Sequence, residues 1–451
     1  LITPELDKLL GIEIYATKNS GVGGNIRESP NDFVVEESLV DGTKASVTGN
    51  VPPRVIGSTQ NKQRFLLCTL VKRNWDTFIA VKNVSKALGI AQNRVQFAGI
   101  KDAKALTAQY ITLDNISAEE ATKVNIKDIQ IHPVGYVRER ISLFYLLGNH
   151  FRVTIRNVSE PEVEARKHIN QTLEELTAVG GIPNFYGHQR FGTTRPITHL
   201  VGKALSQGKF EEAAILFLAT PSSYEHPTSR QARQELHETK NFKQASEKFP
   251  HQLRFERLML IHLAEHPTDF VGAFKRLPPK LQALFVQAHQ SYLFNRFISE
   301  RVKAGLPLSE VTLGDFVVSV ERSGLPFTTA IKVATTENIS EIESKVKAGK
   351  LRVALPIVGF KQKLSQGLMG EVEKEVLAQE GVELGNLWVN ELSRIGGKGG
   401  LRSIVTPILG FELQKIGDET VTLSFMLHRG CYATVFLREV IKPSNPVAAG
   451  F

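Results

Sequence analysis

The sequence predicts an α+β protein in which one sheet-bearing domain is split by a largely helical insertion. Three observations carry this. Strand and helix signals alternate through roughly the first 160 residues, helical periods dominate from about 177 to 400, and strand character returns after about 400. Residues 1–176 and 401–451 then complete one sheet, with 177–400 inserted between them. A chain of 451 residues has room for two or three such units.

The elements follow in order. "DFVVEES" (32–38) and "RFLLCTLVKR" (64–73) are rich in β-branched and aromatic residues and read as strands. Asn74 is a cap for a helix through "WDTFIAVKNVSKAL", with Phe78, Val81, Val84 and Leu88 on one face and Gly89 as its stop. "RVQFAG" and "AQYITL" are strands on either side of a tight turn, and "HFRVTIRNV" (150–158) is another strand. "SEPE" (159–162) reads as a capping box for a helix ending at Gly180-Gly181. The glycine-rich "GVGGNI" (21–26) reads as a flexible turn.

In the insertion, "FEEAAILFLA", "RQARQELHE" and "LQALFVQAHQSYLFNRFISERV" repeat at helical spacing. Leu281, Leu284, Phe285, Ala288, Leu293 and Phe297 form the core stripe of the last. Finally, "VTLSFMLHRGCYATVFLREVI" (421–441) reads as two strands joined at Arg429-Gly430.

Composition narrows the function. With 42% hydrophobic and 22% charged residues the chain buries a sizeable core, which excludes a disordered protein. Apolar runs such as "FLLCTLV" (65–71) are too short to span a bilayer, so no membrane partner is expected. "LITPELDKLL" lacks the order of a signal peptide. Cys68 and Cys431 are far apart, outside any disulfide or zinc spacing, and read as reduced thiols of a cytoplasmic protein. The net charge of +9 is spread through folded segments, which suits a shaped groove for nucleic acid.

Several stretches could carry chemistry. In "FAGIKDAKALTAQYITL" (97–113), Asp102 is either a turn aspartate capping local N–H groups or a carboxylate kept ionised by Lys101 or Lys104. An ionised carboxylate there could serve as nucleophile or general base. In "GNHFRV" (148–153), Asn149 and Phe151 point to one side of an extended chain. They are either a turn Asn and a core Phe, or a pair that bonds a base edge and stacks on its face. "GIPNFYGHQRFGTTRP" (181–196) mixes glycines and aromatics with His188, Gln189, Arg190 and Arg195. It is either a rigid core loop or a nucleic-acid contact. His188 has no companion at metal spacing, and no metal is expected. No GxxxxGK[ST] loop and no GxSxG elbow occurs.

Taken together, "NIRESPNDFVVEE" (25–37), "AGIKDAKALTAQYITL", "GNHFRV", "GIPNFYGHQRFG", "QSYLFNRF" (290–297) and "GCYATVFLREVI" resemble, in order, the motifs of TruD-type tRNA pseudouridine synthases. The resemblance implies a pseudouridine synthase catalytic domain, with a mixed, largely antiparallel sheet and flanking helices, interrupted by a TruD insertion domain. It makes Asp102 the catalytic aspartate and puts Asn149 and Phe151 in the active site, Phe151 against the target base. Lys101, Arg27, Arg190 and Arg195 are then the candidate RNA contacts. It implies a tRNA partner, with the uridine at position 13 as the usual target. Isomerising uridine neither gains nor loses atoms, so no cofactor is expected, and a monomer is expected. Arg27 stands where the family commonly has Lys, His150 stands where it often has a basic residue, and the insertion is longer than in compact bacterial members. Two other functions share these residues: RNA binding without catalysis, and an N-glycosidase that releases the base.

Overall fold

The computed structural model describes residues 2–52, 54–392 and 395–451. The first part of the chain supplies strands β1 (Phe33–Leu39), β2 (Phe65–Arg73), β3 (Val95–Phe97), β4 (Leu106–Asp114), β5 (Ile129–Val137) and β6 (Leu146–Arg156). Helix α1 (Thr77–Ala87) and helix α2 (Glu162–Ala178) accompany them. The insertion follows, with α3 (Thr198–Ser206), α4 (Pro279–Lys303), β7 (Phe316–Val320), β8 (Pro326–Val333), β9 (Leu351–Ile357), α5 (Gly367–Glu380) and β10 (Gly400–Ser403). Strands β11 (Leu409–Gly417) and β12 (Thr420–His428) and helix α6 (Ala433–Ile441) close the chain.

The main sheet runs β11-β12-β6-β1-β4-β2-β5, and β3 pairs with β4. Every pairing is antiparallel except β1 with β4. The two ends of the chain therefore meet in one sheet, through β6 and β12. This is the α+β, mixed and largely antiparallel architecture that the sequence predicts. Aromatic side chains on one face, Phe33, Phe151 and Phe425, join Phe436 of α6 in a buried cluster.

The insertion adds something the helical periods did not announce. Beside its helices lies a four-stranded antiparallel sheet, β10-β9-β7-β8. Ile182–Pro183 pairs with Val405–Thr406, so the segments entering and leaving the insertion run side by side.

Four local expectations need correction. Asn74 does not cap α1. It sits in a left-handed conformation, φ +57°, and Asp76 caps the helix by accepting from the amides of Phe78 and Ile79. The buried face is Ala80, Val81 and Val84, while Phe78 is 50% exposed and edges against Phe97. The "SEPE" box does not form, because Pro161 takes the cap position of α2 and Glu160 bonds His168 Nδ1 at 2.8 Å. The segment after Arg429-Gly430 is not a strand but α6. All nine of its residues are buried, the polar Thr434, Arg438 and Glu439 included, and its β-branched and aromatic Thr434, Val435, Phe436 and Val440 read locally as a strand. "GVGGNI" is not a free turn either. The amide of Val22 bonds the carbonyl of Val440, and Asn25 exchanges two backbone bonds with Arg156. A Cβ at Gly24 would sit 2.6 Å from the Arg156 carbonyl, and φ is +90° there, so close backbone approach explains the glycine.

Candidate active site

The site lies on the aromatic face of the sheet, where β1, β6 and β12 are adjacent. Register puts Phe151 between Val35 and Phe425, and Asn149 between Glu37 and Leu427. Phe151 stacks on Phe425 at 5.3 Å and meets Phe33 edge-on at 6.1 Å. Only 6% of Phe151 is exposed, so it forms a wall of the site rather than a free platform. His150, between the two, lines a separate cleft with Val34 and Glu36 on the other face, as strand alternation requires.

Asp102 sits on the connection from β3 to β4, and this loop is pinned at several points. Thr77 Oγ1 both accepts from the amide of Lys101 and donates to its carbonyl, each at 3.1 Å. Gln109 Nε2 donates to the Gly99 carbonyl at 3.0 Å. Lys72 Nζ donates to the carbonyls of Asp102 at 2.8 Å and Trp75 at 2.7 Å. Burial pushes the Lys72 ammonium down to about 8, against the pull of Asp102 and Asp76. Lys72 was not singled out in the sequence. It reads there as an ordinary polar position near a strand end, and nothing local shows that it faces inward.

The cation beside Asp102 is not the one its neighbours suggested. Lys101 turns away and its Nζ bonds Glu37 Oε1 at 2.6 Å, with 3% of its side chain exposed. Glu37 Oε2 in turn accepts from the amide of Tyr110. Lys104 is exposed at the rim. The partner of Asp102 is Arg27, from far back in the chain. Its Nη2 donates to Asp102 Oδ1 at 2.8 Å and its Nη1 to the Gly450 carbonyl at 2.9 Å. Its guanidinium lies 4.0 Å over the ring of Phe33. Arg27 adopts φ +59°, an uncommon conformation for a residue with a Cβ.

These groups line a cleft of about 740 Å³, with Arg27, Phe33, Lys101, Asp102, Lys104, Asn149 and Phe151 along its catalytic-sheet side. Gln189, Gly192, Thr193 and Thr194 enter from the loop at 181–196, and Tyr432 and Thr434 from the start of α6. The volume suits one nucleotide. Cations and ring walls around one carboxylate are able to take a phosphate-linked base and hold it against a carboxylate oxygen.

The remaining candidates are elsewhere. Arg190 Nε donates to Ser291 Oγ at 3.0 Å and its guanidinium lies 5.7 Å over Tyr186. Arg195 Nη1 donates to the carbonyls of Phe217 at 2.8 Å and Thr220 at 3.2 Å, and Nη2 reaches Glu256. Neither lines the cleft, and both tie the loop to insertion helices. His188 Nε2 bonds Asp7 Oδ1 at 2.7 Å. Burial alone would raise the Asp7 carboxyl, but Arg438 and His188 hold it below its ordinary value. Among the described residues no group of three or more His, Cys, Asp or Glu could hold a metal ion, and no helix is long and apolar enough to cross a membrane.

Comparison with known proteins identifies the family. The family model for tRNA pseudouridine synthase D (TruD) matches residues 9–440. The chain is 35% identical over 449 residues to a protein of Methanosarcina mazei named "Probable tRNA pseudouridine synthase D", covering 98% of this chain and 99% of that one. A protein of the same name from Pyrococcus abyssi is 36% identical over 428 residues, covering 95% and 98%. A crystal structure of a Methanosarcina mazei protein described as tRNA pseudouridine synthase D superposes with a TM-score of 0.81 at 35% identity, over 99% of this chain and 100% of that one. The chain belongs to the TruD family of tRNA pseudouridine synthases, enzymes that isomerise uridine to pseudouridine in tRNA.

Proposed function

We propose that Asp102 is the catalytic carboxylate of this isomerisation and that the cleft around it receives the flipped uridine. The observation that carries the reading is the Arg27–Asp102 pair, 2.8 Å apart, in the cleft that Asn149 and Phe151 also line. Arg27 fixes one oxygen of the carboxylate through a charged hydrogen bond. An extrahelical uridine is needed because its C1′–N1 bond is unreachable in a stack, and unstacking costs a few kcal/mol, roughly, offset by wall and edge contacts inside.

Two first steps use the same ionised oxygen. It attacks a carbon of the nucleotide, or it removes the 2′ proton as uracil leaves to form a glycal. In both, the C1′–N1 electron pair departs with the uracil. The ring then turns and C5 bonds C1′, with the Asp102 ester bond breaking in the first route and the 2′ proton returning from Asp102 to C2′ in the second. The C5 proton is lost and N1 gains one, so the product is an isomer. The target, uridine 13 of certain tRNAs, rests on the family resemblance. Two free thiols, Cys68 and Cys431, fit a reducing compartment, the cytoplasm.

The test is tritium release from tRNA carrying uridine labelled at C5. Asp102→Asn keeps the shape but removes the nucleophile or base, and turnover should fall at least about 100-fold with tRNA affinity retained. Turnover within roughly tenfold of the parent enzyme would remove Asp102 from this role.

A further inference from the structure

Where the carboxylate acts on the ribose, nothing covalent holds the uracil once the C1′–N1 bond is broken, yet it must turn and rejoin. The cleft contains two polar atoms with no partner that suit this interval. Asn149 Oδ1, an acceptor, and Gln189 Nε2, a donor, are both buried and unbonded, and both residues line the cleft. A buried unpaired group is costly, so such a pair is expected where a ligand completes it.

One end of the Gln189 side chain is held by its neighbour. Thr434 Oγ1, itself buried at the start of α6, donates to Gln189 Oε1 at 3.0 Å. This leaves the amide nitrogen as the end without a partner. Gln189 also sits in a short 3₁₀ turn, His188–Arg190, whose neighbours His188 and Arg190 are tied to Asp7 and Ser291. The donor is therefore carried by a braced backbone.

We propose that Gln189, with Asn149, holds the detached uracil during its rotation. The proposal rests on the isomerase reading above. Its chemistry follows from the symmetry of the base. A half-turn about the axis through N3 and C6 exchanges N1 with C5 and exchanges the two carbonyl groups. The N3–H stays in place. An acceptor on N3–H, Asn149 Oδ1, is thus kept throughout as a pivot. A donor facing a carbonyl oxygen, Gln189 Nε2, finds an oxygen in the same position before and after. The same pattern disfavours cytosine, whose N3 presents a lone pair to Asn149 Oδ1 and whose exocyclic amine replaces one oxygen.

The experiment uses the full-length enzyme and a tRNA transcript with C5-tritiated uridine. Gln189→Glu keeps the size and the oxygen that accepts from Thr434 but replaces the donor with an acceptor. Gln189→Leu removes both polar atoms. The readouts are single-turnover tritium release, free uracil, melting temperature, and affinity for the same tRNA made abasic at the target. Both variants should lose roughly 10- to 100-fold in single-turnover rate. Free uracil should appear as a by-product, and binding of the abasic tRNA should stay within about twofold. Rates within threefold of the parent enzyme and no free uracil would overturn the proposal. So would an equal loss of melting temperature and abasic-tRNA affinity, because Gln189 would then only brace the loop. A parent enzyme that releases no tritium from any tRNA would instead overturn the isomerase reading itself.

Discussion

Replacing Arg27 by Met tests how much of the catalytic power comes from the ion pair. Methionine has a similar length and can still pack on Phe33. Both residues carry a Cβ, so the strain of φ +59° is common to the two proteins and cancels. What is lost is the bond from Nη2 to Asp102 Oδ1 at 2.8 Å and the bond from Nη1 to Gly450 at 2.9 Å. The Arg27 side chain is 9% exposed and that of Asp102 30%. Unit charges about 3 Å apart attract by roughly 5 kcal/mol at an effective dielectric of 20, and partial exposure of the carboxylate reduces this. A charged hydrogen bond contributes about 1.5–3 kcal/mol net. If that contribution aligns the carboxylate for the reaction, the single-turnover rate falls roughly 10- to 150-fold. Arg27→Lys retains the charge but cannot reach both acceptors at once, and should fall between the parent enzyme and Arg27→Met. Tritium release under single-turnover conditions at saturating tRNA measures this, with melting temperature followed on the same samples. An Arg27→Met enzyme within threefold of the parent rate, while Asp102→Asn is inactive, would refute the reasoning.

Two further expectations concern stability. Arg195→Ala removes a partly buried guanidinium from the carbonyls of Phe217 and Thr220 and from Glu256, and should cost about 2–4 kcal/mol in unfolding experiments. Its tRNA affinity should be unchanged, and a loss of affinity at full stability would show that Arg195 meets RNA. His199 and His289, buried near Tyr292, are held neutral by desolvation, with His199 pushed down to about 4 and His289 to about 3. Above about pH 6.5 both states are neutral, and below it the unfolded chain binds protons that the folded one refuses. Stability is therefore present above pH 6.5 and lost as pH falls, by about 3 kcal/mol at pH 4 for His199 alone. Urea unfolding of the parent protein and His199→Phe between pH 7 and 4 should converge as pH drops, and parallel curves would contradict the assignment.

Strands β1, β2, β4 and β6 were legible because they are long and rich in β-branched and aromatic residues, whereas β5, interrupted by Pro133 and Gly135, was not singled out. What was not legible has physical causes. Helix α6 is short and rich in β-branched and aromatic residues, which favour a strand locally, and only its burial against the sheet makes it a helix. The partner of Asp102 could not be found locally, since adjacent residues on an extended turn point apart and Lys101 is drawn to Glu37, which is remote in sequence. Arg27 was visible as a cation near "DFVVEE", but its pairing depends on tertiary folding and on the carbonyl of Gly450. Asn149 and Phe151 were readable as a same-side pair, because strand alternation is a local rule. Arg190 and Arg195 looked like free donors in the sequence, and only the insertion helices show where their hydrogen bonds go.

The seam between β6 and β12 also sets a clock. Thr154 and Thr422, hydrogen-bonded across it, are 268 positions apart. A ribosome working at about 5–20 residues per second needs roughly 13–54 s to make the intervening chain. Through that interval the edge of β6, with Phe151, Val153 and Ile155, has no strand to pair with and no α6 to cover it. Such an edge is a template for association with other nascent chains. The cleft around Asp102 is therefore among the last parts of this protein to exist. The half-made enzyme has a holding problem of its own, which slow, long-range strand pairing makes worse and a chaperone bound to that edge would relieve.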